Sequence, residues 1–435
     1  MTSIPPKAGA SRTRNRSIRT CSLVVWALPT VACASVQVVF NGGVAQPAVA
    51  ATEYSTIMGL EEGVWGATLS DREGLVATAG TLARLRVKLD TAPGAGTSYT
   101  FALMLNGAPS ALSCTVSGTS TGCTDTTNAV AVAAGDPVAI RSVPAGTPAA
   151  THVALTMTFD GTTAKESIYV GGSGSGALSN SSDRSLPVHG VYNNGATAVA
   201  SWQTHVIAPT SGNFKNLFVR LSVAPGGTAS RTFTAQRNDV ATTLACTIVG
   251  AATTCSDTTN SFTVVAGDTV RVLESPSAVN PASATAQLGI AFVADTDGEF
   301  MLVQSGAAGL SSTLVNYVTP AAGRNNTADT IEANHVVLGQ ACTVKRIFSN
   351  LNGPPGAGTS FRLTLRVNGV DSVLGCTMAD AATSCNAAAD VTIGDDALLS
   401  NQSTPSGGPT LRSSRITYLV TSAGPPAARR IWFVQ

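Results

Sequence analysis

Six cysteines of this chain stand in pairs of one spacing: Cys114 and Cys123 in CTVSGTSTGC, Cys246 and Cys255 in CTIVGAATTC, Cys376 and Cys385 in CTMADAATSC. Three chemistries use such pairs. A zinc site needs further thiolates or histidines nearby to complete four ligands, and none recurs with the motif. A redox pair has two intervening residues at a helix start, whereas these pairs enclose eight residues in a strand-like context. A separation of nine lets the two residues face each other across a two-residue turn, with Gly118-Thr119 at the tip in the first copy. Cross-strand disulfides closing three hairpins are therefore expected, each gaining roughly 2.5 to 3 kcal/mol from loop entropy. Cys342 stands where the other copies carry Gly80 and Gly212, and reads as a buried free thiol.

Other candidates for chemistry are sparse. His205 and His335 are equivalent in THVIAP and NHVVLG, where the first copy has Glu73; with His152 and His189 they make up the histidines. No carboxylate or thiol repeats beside them as a ligand set would require. Asp125 and Asp257 follow the second cysteine and read as turn caps, while Asp295 and Asp297 in DTDGE leave a calcium reading open. No serine sits in a nucleophile-elbow setting, so no catalytic residue, cofactor or enzyme activity is assigned. Trp65 and Trp202 are the candidate ligand-binding residues, as exposed aromatics on loops.

The elements that must position these residues repeat. First cysteines at 114, 246 and 376 define a period of 132 and then 130 residues, so three homologous units are present. Each motif follows a glycine-rich lead-in, such as APGAGTSYTFALMLNG, and precedes an exit such as VAVAAGDPVAI. SYTFALML alternates as a strand does, and Asn106-Gly107 and Asn368-Gly369 signal two-residue hairpins, with Asn238-Asp239 replacing them in the middle copy. Only 12% of residues are charged and glycine is abundant, which suits turn-rich sandwiches rather than helices. The fold expected is all-β: three tandem jelly-roll-like β-sandwich units, packed as an intramolecular pseudo-trimer or strung as beads.

Domain limits follow from the same landmarks. Residues 1–51 read as a signal peptide, with a basic start, the apolar run CSLVVWALPTVACASVQVVF (21–40) and small residues at Ala48-Val49-Ala50. A membrane anchor is the competing reading; a lipid anchor on Cys33 is disfavoured because TVAC lacks the usual aliphatic residue. The units then run 52–170, 171–304 and 305–435, each closed by an apolar strand: ESIYVGG (166–172), EFMLVQS (299–305) and RIWFVQ (430–435). EYSTIMG (53–59) reads as a weaker fourth version, and GGSGSGALSNSSD (171–183) as a linker or a loop inside the second unit. Without the first 51 residues the chain carries 21 basic and 25 acidic residues, and no basic stripe remains to bind nucleic acid.

The lead-in, the Asn-Gly turn and the late strand around Gly135-Asp136 resemble the globular heads of bacterial collagen-like surface and fibre proteins. Those heads are similar to the jelly roll of the complement globular head and tumour necrosis factor. The resemblance implies a secreted or cell-surface, non-enzymatic structural or adhesive protein, not membrane-spanning in its mature form. A glycan-binding module is the alternative, with surface glycans or other surface proteins as partners. The cysteine pairs, the triplication and the missing collagen stretch depart from that pattern.

Overall fold

The structure, a computed structural model, describes residues 1–3, 36–42, 46–59, 65–191, 197–198, 202–321 and 328–422. Contacts divide the chain into residues 1–32 and a second compact unit, residues 33–435. Among the described residues, the strands lie in the second.

The first sandwich comprises β1 (Val36–Asn41), β2 (Glu53–Ser55), β3 (Gly74–Leu75), β4 (Gly80–Leu89), β5 (Gly94–Leu105), β6 (Ala108–Gly118), β7 (Gly122–Val132), β8 (Pro137–Ala145) and β9 (Val153–Gly161). Its sheets run β1-β9-β4-β7 and β2-β8-β5-β6, with β3 also on β8. This order is that of a jelly roll, in which the chain passes repeatedly between two antiparallel sheets. The second sandwich has β10 (Glu166–Gly172), β11 (Arg184–Leu186), β12 (Gly190–Val191), β13 (Thr197–Ala198), β14 (Val206–Ile207), β15 (Gly212–Leu221), β16 (Ser230–Arg237), β17 (Val240–Val249), β18 (Thr254–Val264), β19 (Thr269–Pro276) and β20 (Ala286–Ala294). The third has β21 (Glu299–Leu310), β22 (Asn316–Val318), β23 (Val337–Leu338), β24 (Cys342–Leu351), β25 (Gly356–Val367), β26 (Val370–Asp380), β27 (Ser384–Ile393), β28 (Leu398–Ser406) and β29 (Arg412–Ser422). Their main sheets repeat the pattern as β10-β20-β15-β18 with β11-β19-β16-β17, and β21-β29-β24-β27 with β22-β28-β25-β26.

The Asn-Gly hairpins form as expected. Asn106, Gly107, Asn238, Asp239, Asn368 and Gly369 all have φ between 50° and 80°, the left-handed pair that a two-residue turn between twisted strands requires.

The apolar strands 166–172 and 299–305 do not close their units. β10 pairs with β20 of the second sandwich and β21 with β29 of the third, so each opens the next unit. The first counterpart is β1, inside the stretch read as a signal, which pairs with β9 in the same register: Val36 faces Asp160 as Glu166 faces Val293 and Glu299 faces Thr421. EYSTIMG is not a further copy, since β2 joins the opposite sheet through β8. Residues 430–435 lie outside the described residues. The sandwiches therefore occupy 36–161, 166–294 and 299–422, which shifts the boundaries expected at 170/171 and 304/305.

These opening strands are apolar on both faces because they lie between two cores. Tyr169 packs in the core of the second sandwich while its neighbours Ile168 and Val170 pack in that of the first. Val39 likewise belongs to the first core, and Val38 and Phe40 to the third. Short strands complete a ring: β3 packs on β20, β14 on β29 and β23 on β9. The three units form a closed pseudo-trimer rather than a string. The backbones approach closely at the first junction, where a Cβ on Gly289 would lie 1.9 Å from the Leu75 carbonyl. Of residues 171–183, Gly171 and Gly172 end β10 and the rest form a loop of the second unit, in which Ser173 accepts from the Ala286 N–H and Leu178 is buried.

Candidate functional site

The cysteine pairs are disulfides in all three units, Cys114–Cys123, Cys246–Cys255 and Cys376–Cys385, with Cα atoms 5.8 Å apart. Their setting differs from the expected hairpin. β6 pairs with β5 and β7 with β4, so each bridge joins the two sheets of its sandwich where the chain crosses from one to the other. A separation of nine fits this corner as well as a ladder, and only the tertiary fold chooses between them.

Beside two of these corners lies an aspartate cap. Asp125 accepts from the N–H groups of Ser113, Thr127 and Asn128 and from the Asn128 side chain, and Asp257 repeats the pattern with Ala245, Thr259 and Asn260. Burial alone would raise both carboxyls; the converging N–H groups outweigh it and hold them below the usual range. The third unit has Ala387 there, with one residue fewer in the bulge: Lys215 to Leu217 spans Ser261 to Asp257, whereas Val344 to Arg346 spans Val391 to Ala388.

Cys342 is free and buried, and burial with the nearby Asp395 pushes its thiol up to about 12. Its place follows from volume. A Cβ on Gly80 or Gly212 would run into the rings of Phe159 and Phe292, whereas the third unit has Val420 opposite that region and room for a thiol. Cys342 is thus a packing residue.

Polar groups gather at the unit junctions. Between the first and second units, Arg220 donates to Glu73 and, at 2.6 Å, to Gln287, beside an open cleft of about 640 Å³ that also includes Ser70 and Asn106. Between the second and third, Asp239 lies 2.7 Å from His205 and 2.8 Å from Arg271, facing Arg415 of β29. Burial, with the Arg415 charge, lowers the His205 imidazole against the pull of Asp239. Between the third and first, Arg86 reaches Asp395 at 2.7 Å and Asp396 at 2.8 Å. A cleft of about 260 Å³ on that side is lined by Leu89, His152, Val153, Ala333 and Leu398, with His152 2.7 Å from Asp90.

Three of the four histidines, His189, His205 and His335, are buried. His189 is buried against Gly59 and Tyr169, and burial pushes its imidazole down to about 3. Asp329, His335 and Thr319 follow one another at 3.3 and 3.4 Å, the order of a base relay, but His335 and Thr319 have no exposed surface to offer a substrate. Trp65 is not an exposed loop aromatic: it is 6% exposed, packed 6.0 Å from Phe101 in the first core. The Trp202 side chain lies outside the described residues. Asp295 and Asp297 sit in the loop before β21, and no group of three potential metal ligands occurs among the described residues.

The fold and its junctions define a class, a fused trimer of jelly-roll-like sandwiches. The sequence matches no protein-family model and no curated protein.

Proposed function

We propose that this chain is an exported, non-enzymatic structural or adhesive protein of a cell surface, acting through its three fused sandwiches. The observation that carries this reading is the disulfide between the sheets of every unit, a bond that persists in oxidising compartments and is rare where glutathione keeps thiols reduced. The placement of polar groups supports an architectural role, since the ion pairs Glu73–Arg220 and Arg86–Asp395 link neighbouring units and Asp239–Arg271 stands beside the third. The resemblance to the heads of collagen-like surface proteins points the same way.

A second reading, glycan binding, is favoured by one feature: the open cleft holding Ser70, Glu73, Arg220 and Gln287 offers donors and acceptors in the number that sugar hydroxyls need. Fractionation of cells expressing the full chain, followed by a glycan array on the exported protein, separates these. The structural reading expects oxidised protein outside the cytoplasm and a silent array. Reduced cytoplasmic protein would overturn it, and array binding abolished by Arg220→Ala would replace it with the second.

A further inference from the structure

β1 forms part of the ring. Its register on β9 matches that of β10 on β20 and β21 on β29, as the pairs Val36–Asp160, Glu166–Val293 and Glu299–Thr421 show. Val38, Val39 and Phe40 are 3%, 0% and 3% exposed and divide between the cores of the third and first units. Gln37 donates to the Ile168 carbonyl at 3.0 Å and accepts from the Ile168 N–H at 2.8 Å, so its amide completes the backbone of the neighbouring opening strand. Asn41 donates to the Thr56 carbonyl, and Gly42 bridges Val337 of the third unit, where a Cβ would lie 2.5 Å from the Val336 carbonyl. Val36 and Gln37 line one small space with Glu166, Ser167, Glu299 and Phe300, their counterparts from the other two strands.

Cleavage after Ala50 would discard all of this. It would leave the edge of β9 unpaired and the apolar faces of the first and third cores open to water. The 20-residue apolar run is therefore two segments that are apolar for different reasons. Residues 21–34, CSLVVWALPTVACA, have the length of a signal's hydrophobic region, follow the basic residues Lys7 to Arg19 and end in Ala32-Cys33-Ala34, small residues at the two positions a signal peptidase reads. Residues 36–41 are apolar because the sandwich buries them.

Resting on the export reading above, we propose that a signal peptidase cuts between Ala34 and Ser35, leaving a mature chain that begins one residue before β1. Water is the co-reactant: the Ala34–Ser35 amide bond breaks, Ala34 takes the carboxylate and Ser35 the new amine. Intact-mass measurement and N-terminal sequencing of the exported full chain test it. An N-terminus at Ser35 supports the proposal, and one at Ala51 overturns it while leaving export intact. An uncleaved Met1 terminus on cytoplasmic protein overturns the export reading itself. Ala34→Tyr should block processing, and Ala48→Tyr with Ala50→Tyr should leave both the cut and its rate unchanged; the reverse pattern refutes the assignment. A full chain lacking residues 35–42 should fail to accumulate or melt about 10 °C lower, on the usual proportion between lost stability and melting temperature. An unchanged melting temperature would show that β1 is dispensable and sink the argument.

Discussion

At one place in the sandwich the first unit carries Tyr99 diagonal to a core serine, Ser142, on the neighbouring strand, while the second carries Arg231 and Glu274. The Tyr99 hydroxyl donates to the Ala149 carbonyl at 3.0 Å. Arg231 donates to the equivalent Ala282 carbonyl at 2.8 Å, and also to Ser179 at 2.7 Å and Glu274 at 2.6 Å, with neither partner of the ion pair exposed. The third unit has Phe361 and Ser403 there. One backbone thus accepts a hydroxyl, a buried ion pair or plain hydrocarbon. What the guanidinium adds is a tie to the loop after β10, at the Ser179 carbonyl. The pair brings no net stability that the tyrosine lacks, because desolvating two charges offsets most of their attraction.

The largest effect expected tests that equality. Arg231→Ala should cost about 3–5 kcal/mol, because it strands a buried carboxylate, whereas Arg231→Tyr with Glu274→Ser, the first unit's pair, should fall within about 1 kcal/mol of wild type in chemical denaturation. A double variant as damaged as the single would show that the loop tie dominates. The pair also carries a pH signature. Burial raises the Glu274 carboxyl from 4.5 to about 7 against the pull of Arg231, so the native state holds the proton more tightly than the unfolded chain. That contribution is complete below pH 4.5 and is lost as pH rises through about 7; the double variant should lack this slope.

Next in size are the disulfides, where the units should agree rather than differ. Cys114→Ser with Cys123→Ser, and the same change at Cys246 and Cys255 or at Cys376 and Cys385, should each cost roughly 2.5–3 kcal/mol, since each closes a loop of the same length. A marked inequality would point to strain or residual structure specific to one unit.

The aspartate caps separate the first two units from the third. Asp125→Ala or Asp257→Ala should cost about 2 kcal/mol, having orphaned several N–H groups at a partly buried bulge. Their carboxyls titrate below 3.8, so the stabilisation is present above that pH and lost as pH falls through the folded value. Ala387→Asp should stabilise nothing, because the shorter bulge does not converge the same donors; a gain in melting temperature would refute that account.

The smallest effect concerns volume exchange. Cys342→Gly should cost roughly 1–2 kcal/mol by opening a cavity, and Val420→Phe in the same chain should recover most of it by restoring the glycine–phenylalanine arrangement of the other units. A double variant no more stable than Cys342→Gly would break the pairing inferred here.

Much of this molecule was legible in its residues. The period of the cysteine motif announced three units, the Asn-Gly pairs placed their hairpins, and alternation in SYTFALML marked a half-buried strand. These are local properties, set by φ/ψ preference and by a side-chain period of two, and they survive in any context that keeps the strand. The candidate site residues fared unevenly for the same reason. Paired cysteines bonded, while Trp65, read as an exposed loop aromatic, turned inward to Phe101, since nothing local says which side of a loop meets the core.

What the sequence determined by itself is the inventory: strands, turns and three bridges. The tertiary structure alone decided the partners. SIYV and VVF are apolar on both faces, which says that they are covered twice but not by what, because backbone hydrogen bonds carry no address and any open sheet edge offers the same N–H and C=O spacing. The ring supplies the address. Only when three sandwiches close on one another does each opening strand find one core on either side, and only then does residue 36 belong with residue 160 rather than with a signal.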